Sequence, residues 1–326
     1  MKKLVVALLC VMMLALTAGA TLALAQAKHV IRFATAIEPE SHYANGMRKF
    51  KELAEKYSNG AIEVQLFYSG QLGDERALVE AMGMGMVEMA ICSSAPMVNF
   101  SKDFMVFDLP FLVTDRAKAF AVLDGPVGQK ILATMESKGV KSLGFWENGF
   151  RNITNSKLAI RTPEDLKGIK IRTMENPIHM DLFSTLGANP TPMAWGELFL
   201  ALQQGTVDAQ ENPLIIIETS KYPEVQKYLT LTGHVYAPSV VSISKSIFEA
   251  YPKEIQDVIL KAEKEARDWE RDFCIQKDNE LVAVLVSQGM EAIEVDKAAW
   301  AKAAAPVYEH FKNEINQDYV KAFTGK

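Results

Sequence analysis

Apolar and polar positions alternate along this chain with two periods, one fitting strands and one fitting helices. Residues 29–35 alternate and are rich in β-formers, which predicts a first strand. Glu38-Pro39-Glu40-Ser41 then punctuates the chain before a helical pattern from about His42 to Tyr57, with Met47, Phe50, Leu53 and Ala54 on its buried side. Residues 62–67 alternate again, 74–84 read as a helix and 87–92 as a buried strand. Strand, helix, strand, helix, strand is the unit of a doubly wound α/β sheet.

Residues 104–113 are apolar around Pro110 and read as a buried crossing segment rather than a regular helix. A helix over 115–138 is interrupted at Gly125-Pro126, and 140–146 returns as a strand. A second α/β unit follows: strand 168–172, helices 177–186 and 195–204, a strand near 206–210 and a helix over 214–221. Residues 239–244 form another strand. From Lys253 to about Gln288 there is neither Pro nor Gly, so one helix longer than the usual globular range is expected there, able to brace both halves of the fold. The run Met82-Gly83-Met84-Gly85-Met86 reads as core. It lacks the third glycine and the preceding strand of a dinucleotide-binding turn.

The start of the chain carries a different message. Lys2 and Lys3 precede an apolar block from Leu4 to Leu16, and Ala23-Leu24-Ala25 supplies a small-x-small cleavage pattern. Residues 1–25 therefore read as a secretory signal peptide, and the mature protein as periplasmic and not embedded in a membrane. Removing that leader takes two lysines and no acids, which moves the formal charge from −5 to −7. So acidic a chain offers no basic footprint for nucleic acid. Cys92 and Cys274 are the mature cysteines; they either pair or remain two buried thiols. The five histidines are scattered, with no metal-ligand spacing, and no cofactor motif appears.

Arg172 is the leading candidate for chemistry. It ends the strand pattern Gly168-Ile169-Lys170-Ile171-Arg172, and the chain then opens a helix with Asn176 as cap and Pro177 in the first turn. A guanidinium beyond the carboxyl end of a strand, beside a helix N-terminus, sits where open α/β sheets bind anions. Its planar fork matches a carboxylate with two parallel hydrogen bonds. The plainer alternative is an ion pair with Glu175 or Asp208.

Several separated stretches resemble the solute-binding proteins of tripartite ATP-independent periplasmic (TRAP) transporters. They are S-G-Q-L-G-D-E-R at 69–76, W-E-N-G-F-R-N-I-T-N-S at 146–156, G-A-N-P-T-P-M-A-W-G-E-L-F-L-A-L-Q-Q-G-T-V-D-A-Q-E-N-P from Gly187 to Pro213, and Y-P-E-V-Q-K-Y at 222–228. The resemblance spans essentially the whole mature chain. It implies an α/β, two-lobed periplasmic-binding-protein fold with hinge strands and a long bracing helix. The implied lobes are 28–148 plus 238–277, and 149–237 plus 278–326. It also implies a receptor without catalytic activity or cofactor that captures a small organic acid and hands it to TRAP membrane permease subunits.

By that resemblance Arg172 anchors the ligand carboxylate, Arg151 and Asn212 contact the same acid group, and Trp195 places an aromatic ring against the ligand body. Glu75 and Ser93 fall where specificity contacts vary. Glu175, beside the site, favours hydroxyl or amine donors on the ligand. His42, at the start of the first helix, is a further candidate contact. The 146–156 stretch most resembles receptors for sugar acids or keto-sugar acids, with C4-dicarboxylates and other carboxylates as alternatives. Two rival functions share these residues: a periplasmic enzyme acting on the same acids, and a module presenting its ligand to a sensor. Against the enzyme, the chain carries no nucleophile elbow, no paired-histidine zinc motif and no phosphate loop.

Overall fold

In the computed structural model residues 29–325 are described, so the leader expected over residues 1–25 lies outside the described residues. Two antiparallel strands form the spine: β4 (Val140–Asn155) and β8 (Tyr228–Ser244), paired from Val140↔Ser244 to Asn155↔Tyr228. On one half, β3 (Met89–Ser93) joins β8 through Ser239–Ile243, followed outward by β1 (His29–Ala34) and β2 (Ile62–Phe67). On the other half, β7 (Ala209–Pro213) joins β4 through Arg151–Asn155, followed by β5 (Lys170–Thr173) and β6 (Asn189–Pro192). The short β9 (Glu291–Ile293) pairs with the start of β8. Twelve helices cover this nine-stranded sheet among the described residues.

Each half is a parallel α/β unit; β3 is fully buried and apolar apart from Ser93, whereas β2 alternates, β7 is buried but largely polar and the edge strand β6 is mostly exposed. Alternation along β4 sends Phe145 to one core, with Leu78, Phe104 and Phe183, and Trp146 to the other, with Phe50, Leu198 and Ile259. The long helix, Lys253–Ser287, matches the expected span. It packs along the first helix, His42–Tyr57, along β4, and along the helix Leu214–Thr219. Polar contacts lock it to the middle of the spine. Trp146 Nε1 donates to Glu263 Oε1 at 2.9 Å, the Glu147 amide to Glu270 Oε2 at 3.0 Å, and Arg271 Nη2 to the Phe145 carbonyl at 2.5 Å.

The structure corrects several expected boundaries. β4 does not stop at Trp146. Asn148-Gly149 reads as a turn, but Gly149 sits at φ +124° in a register shift between Glu147 and Gly149, so a bulge absorbs the extra residue and the strand continues. β8 begins at Tyr228, not Ser239, because its polar residues are satisfied internally: Thr230 Oγ1 donates to the Ile160 carbonyl, and Thr232 Oγ1 meets His234 Nδ1. β7 lies at 209–213, after a turn at Gly205 with φ +70°. β6 was not expected from Asn-Pro-Thr-Pro; as the outermost strand it needs no donors on its open side. In the methionine run only Met82 is core, whereas Met84 and Met86 are exposed. Cys92 and Cys274 are both buried and free.

Candidate functional site

β1, β3 and β5 all point their carboxyl ends at the region where the two half-sheets meet, the position where open α/β folds place ligands. A cavity there is lined by side chains from both halves. Tyr43, Glu75 and Ser93 come from the first half, Arg172, Trp195 and Asn212 from the second, and Asn148 and Arg151 from the spine strand between them. The walls stand close together and leave about 20 Å³, room for about one water.

Arg172 lies next to the carboxyl end of β5, is 3% exposed and donates through Nε (2.9 Å) and Nη2 (2.6 Å) to the Met193 carbonyl. Neither Glu175 nor Asp208 pairs with it; Glu175 meets Arg76 at 3.7 Å and Asp208 meets Lys157 at 2.8 Å. The Arg172 guanidinium lies 5.9 Å from the Trp195 ring centroid. Trp195 starts its helix and is held by its indole N–H on Glu38 at 3.3 Å. Arg172 Nη1 has no hydrogen-bond partner, and burial lowers the pKa of the group.

Arg151 is fully buried on β4. Its Nε donates to Glu211 Oε2 at 2.5 Å, and its Nη2 to the Glu211 carbonyl and to Asn212 Oδ1 at 2.6 and 3.0 Å. Its Nη1, like that of Arg172, is unpartnered. Glu211 also meets His234 Nε2 at 3.2 Å and His179 Nδ1 at 3.7 Å. Burial alone would raise its pKa, but Arg151 and the two histidines hold it well below the usual carboxylate range. Two guanidinium nitrogens without acceptors, on arginines lining one buried cavity, form an environment that favours an anion.

Glu75 begins the helix Glu75–Gly83, where Asp74 caps, and its Oε1 accepts from the Ser93 amide at 2.5 Å. Burial raises its pKa, opposed by the Ser93 hydrogen bond and by Arg172 and Arg151. Tyr43 Oη and Asn148 Oδ1 are buried and have no partner.

A sequence profile described as bacterial extracellular solute-binding protein, family 7, matches residues 33–314. This chain belongs to that family. It is 43% identical over 296 residues to a solute-binding protein of Verminephrobacter eiseniae, covering 90% of this chain and 88% of that one. It is 35% identical to the 2,3-diketo-L-gulonate-binding periplasmic protein YiaO of Escherichia coli, covering 84% and 85%. The crystal structure of the sugar acid binding protein DctPAm from Advenella mimigardefordensis, in complex with galactonate, superposes with a TM-score of 0.89. It is 37% identical and covers 91% of this chain and 97% of that chain. The expected kinship with TRAP receptors and the two-lobed α/β fold are therefore established. Members of the family are periplasmic solute-binding receptors. Among the described residues no helix is long and apolar enough to cross a membrane.

In this family 7 receptor, Arg172, Arg151, Asn212, Trp195, Glu75 and Ser93 come together at one cavity. Glu175 stands at its outer mouth beside Arg76 and Pro96. His42 is not among the lining residues; it turns inward toward Glu270 and Cys274, and the next residue, Tyr43, reaches the cavity instead. Tyr43 and Asn148 were not singled out from the sequence. For Asn148 the signal was present, since the bulge-forming Asn-Gly lies three residues before Arg151. Tyr43, an aromatic in the first helical turn, carries no comparable signal in the sequence.

Proposed function

We propose that this receptor captures a small sugar acid or keto-sugar acid by its carboxylate and delivers it to a TRAP permease in the membrane. The observation carrying the proposal is the pair of unpartnered Nη1 atoms of Arg172 and Arg151 at the same cavity. In this reading the carboxylate meets Arg172 and Arg151, and Asn212, held by Arg151, completes the acid pocket. Trp195 covers the carbon chain. Asn148 Oδ1 accepts from a hydroxyl near the acid group, and Tyr43 and Ser93 exchange hydrogen bonds with hydroxyls further along. Glu75 accepts from hydroxyls and disfavours a second carboxylate. Sugar-acid ligands of the relatives support the same class.

The receptor acts without catalysis, reaching the periplasm through cleavage of residues 1–25. Its lobes are 28–148 plus 238–277, and 149–237 plus 278–326. They move about the two spine strands where Glu147 faces Pro238 and Gly149 faces Ala237.

Calorimetry and thermal shift on the mature protein test this directly, since a ligand of the folded state alone raises its stability. Aldonates, uronates and diketo-sugar acids should bind, and the corresponding amides and neutral sugars should not. Tight binding of succinate with no binding of hydroxylated acids would overturn the ligand class.

A further inference from the structure

Behind the ligand cavity, and separate from it, the fold assembles a second chemical group. His42 opens the first helix, while Glu270 and Cys274 stand one turn apart on the long helix. One ligand-type atom from each lies within 4.8 Å of the other two. His42 and Glu270 are fully buried and Cys274 is 2% exposed. The Cys274 thiol donates to Glu270 Oε1 at 3.2 Å, and the other Glu270 oxygen accepts from the Glu147 amide at 3.0 Å. Both ring nitrogens of His42 are buried and neither makes a hydrogen bond of good geometry, the Glu147 backbone being the one polar group that bears on the ring. A neutral imidazole carries one donor and one lone pair, and in a dry interior neither is normally left unmet.

We propose that His42, Glu270 and Cys274 bind a zinc-class divalent cation. Thiolate, imidazole and carboxylate are the three ligand types that such an ion takes, and the sulfur disfavours calcium and magnesium. The i, i+4 spacing of Glu270 and Cys274 puts both on one face of a helix, and His42 approaches from another element. Two negative ligands neutralise the dication, so the complex carries no net charge into the interior. Binding releases the thiol proton, and any proton on Glu270, to solvent. The close approach depends on Gly46, where a Cβ would fall 2.1 Å from the Trp146 ring and 3.0 Å from Glu270 Cγ. The cation ties the first helix to the long helix beside Glu147, whose amide is held by Glu270. It braces one lobe next to the hinge and does not touch the organic acid. The site is independent of which acid the receptor binds.

The test uses the mature protein unfolded in chelator and refolded with Zn²⁺ or Co²⁺, because so enclosed a site fills most readily during folding. After desalting, about one ion per chain should remain, and the Co²⁺ form should show an intense thiolate-to-metal charge-transfer band. Zinc should raise the melting midpoint by about 5 °C at saturating metal. Cys274→Ser and His42→Asn should each abolish the band and the shift. No uptake by the unmodified protein, uptake without the thiolate band, or undiminished uptake by Cys274→Ser would each overturn the proposal. The spectrum of the unmodified protein decides the matter even if a variant fails to fold. Acid binding measured alongside separates this result from the ligand assignment.

Discussion

Arg151 donates from Nε to Glu211 Oε2 across 2.5 Å, and neither side chain reaches solvent. That pair orients the Arg151 guanidinium so that its other edge is left for the cavity. Removing one partner of a buried pair strands the other charge, at a cost of about 3–5 kcal/mol. Glu211→Ala should lose stability on that scale in urea denaturation and should also weaken acid binding. A loss under about 1 kcal/mol would show that the pair is not a structural requirement.

Arg172 has Nε and Nη2 on the Met193 carbonyl and leaves Nη1 free. In the proposed binding mode a carboxylate would meet the Nη1/Nη2 end while Nε keeps the plane fixed. Lysine cannot divide its donors in this way. Arg172→Lys should weaken binding by about 2–5 kcal/mol, the range for breaking a desolvated charge pair. Near-wild-type affinity of a folded Arg172→Lys protein in calorimetry would refute the geometric argument.

Glu75 places a carboxylate in the cavity, held by the Ser93 amide and facing the arginines. It should repel the second acid group of a C4-dicarboxylate. Glu75→Gln is expected to gain at least about tenfold in succinate affinity, about 1.4 kcal/mol, while losing affinity for hydroxylated acids. Parallel titrations of both ligands check it; equal changes for both would refute the repulsion.

His179 is buried between Asp108, at 3.0 Å from Nε2, and Glu211. Burial alone would lower its pKa, but the two carboxylates raise it from 6.5 to about 9. The folded value lies above the unfolded one, so the contribution is full below pH 6.5 and disappears as pH rises through 9. Over that window His179 should account for a stability loss on the order of 3 kcal/mol. His179→Gln should flatten this part of the pH profile relative to wild type. An unchanged slope would mean the imidazole is not charged in the folded state.

The cavity of about 20 Å³ is too small for a sugar acid, so loading requires the lobes to part. Small-angle scattering should show ligand-free protein more extended than ligand-saturated protein. Identical radii, together with measurable turnover of the acid, would favour an enzyme.

Much of this architecture was legible in the residues themselves, because helix and strand periods and caps are local properties. Ser41, Asp74 and Asn176 each accept from amides of the first turn that follows, and a segment free of Pro and Gly folds into one 35-residue helix. The arginine, asparagine and tryptophan positions were legible because the motifs carrying them are contiguous. What sequence could not settle depends on contacts between distant segments. β4 and β8 run far past their apolar cores because each supplies the other's hydrogen bonds, and a bulge at Gly149 hides that continuity. The choice between His42 and Tyr43 as the residue facing the cavity was of the same kind. Neighbours on a helix point about 100° apart, and the roll of the helix decides which one faces in. Here the roll is set by Gly46 packed against Trp146 and Glu270, which lie a hundred residues or more further along the chain. Local chemistry therefore determined the elements and marked Arg172 as the candidate anchor, and long-range packing determined which neighbouring side chains share the cavity.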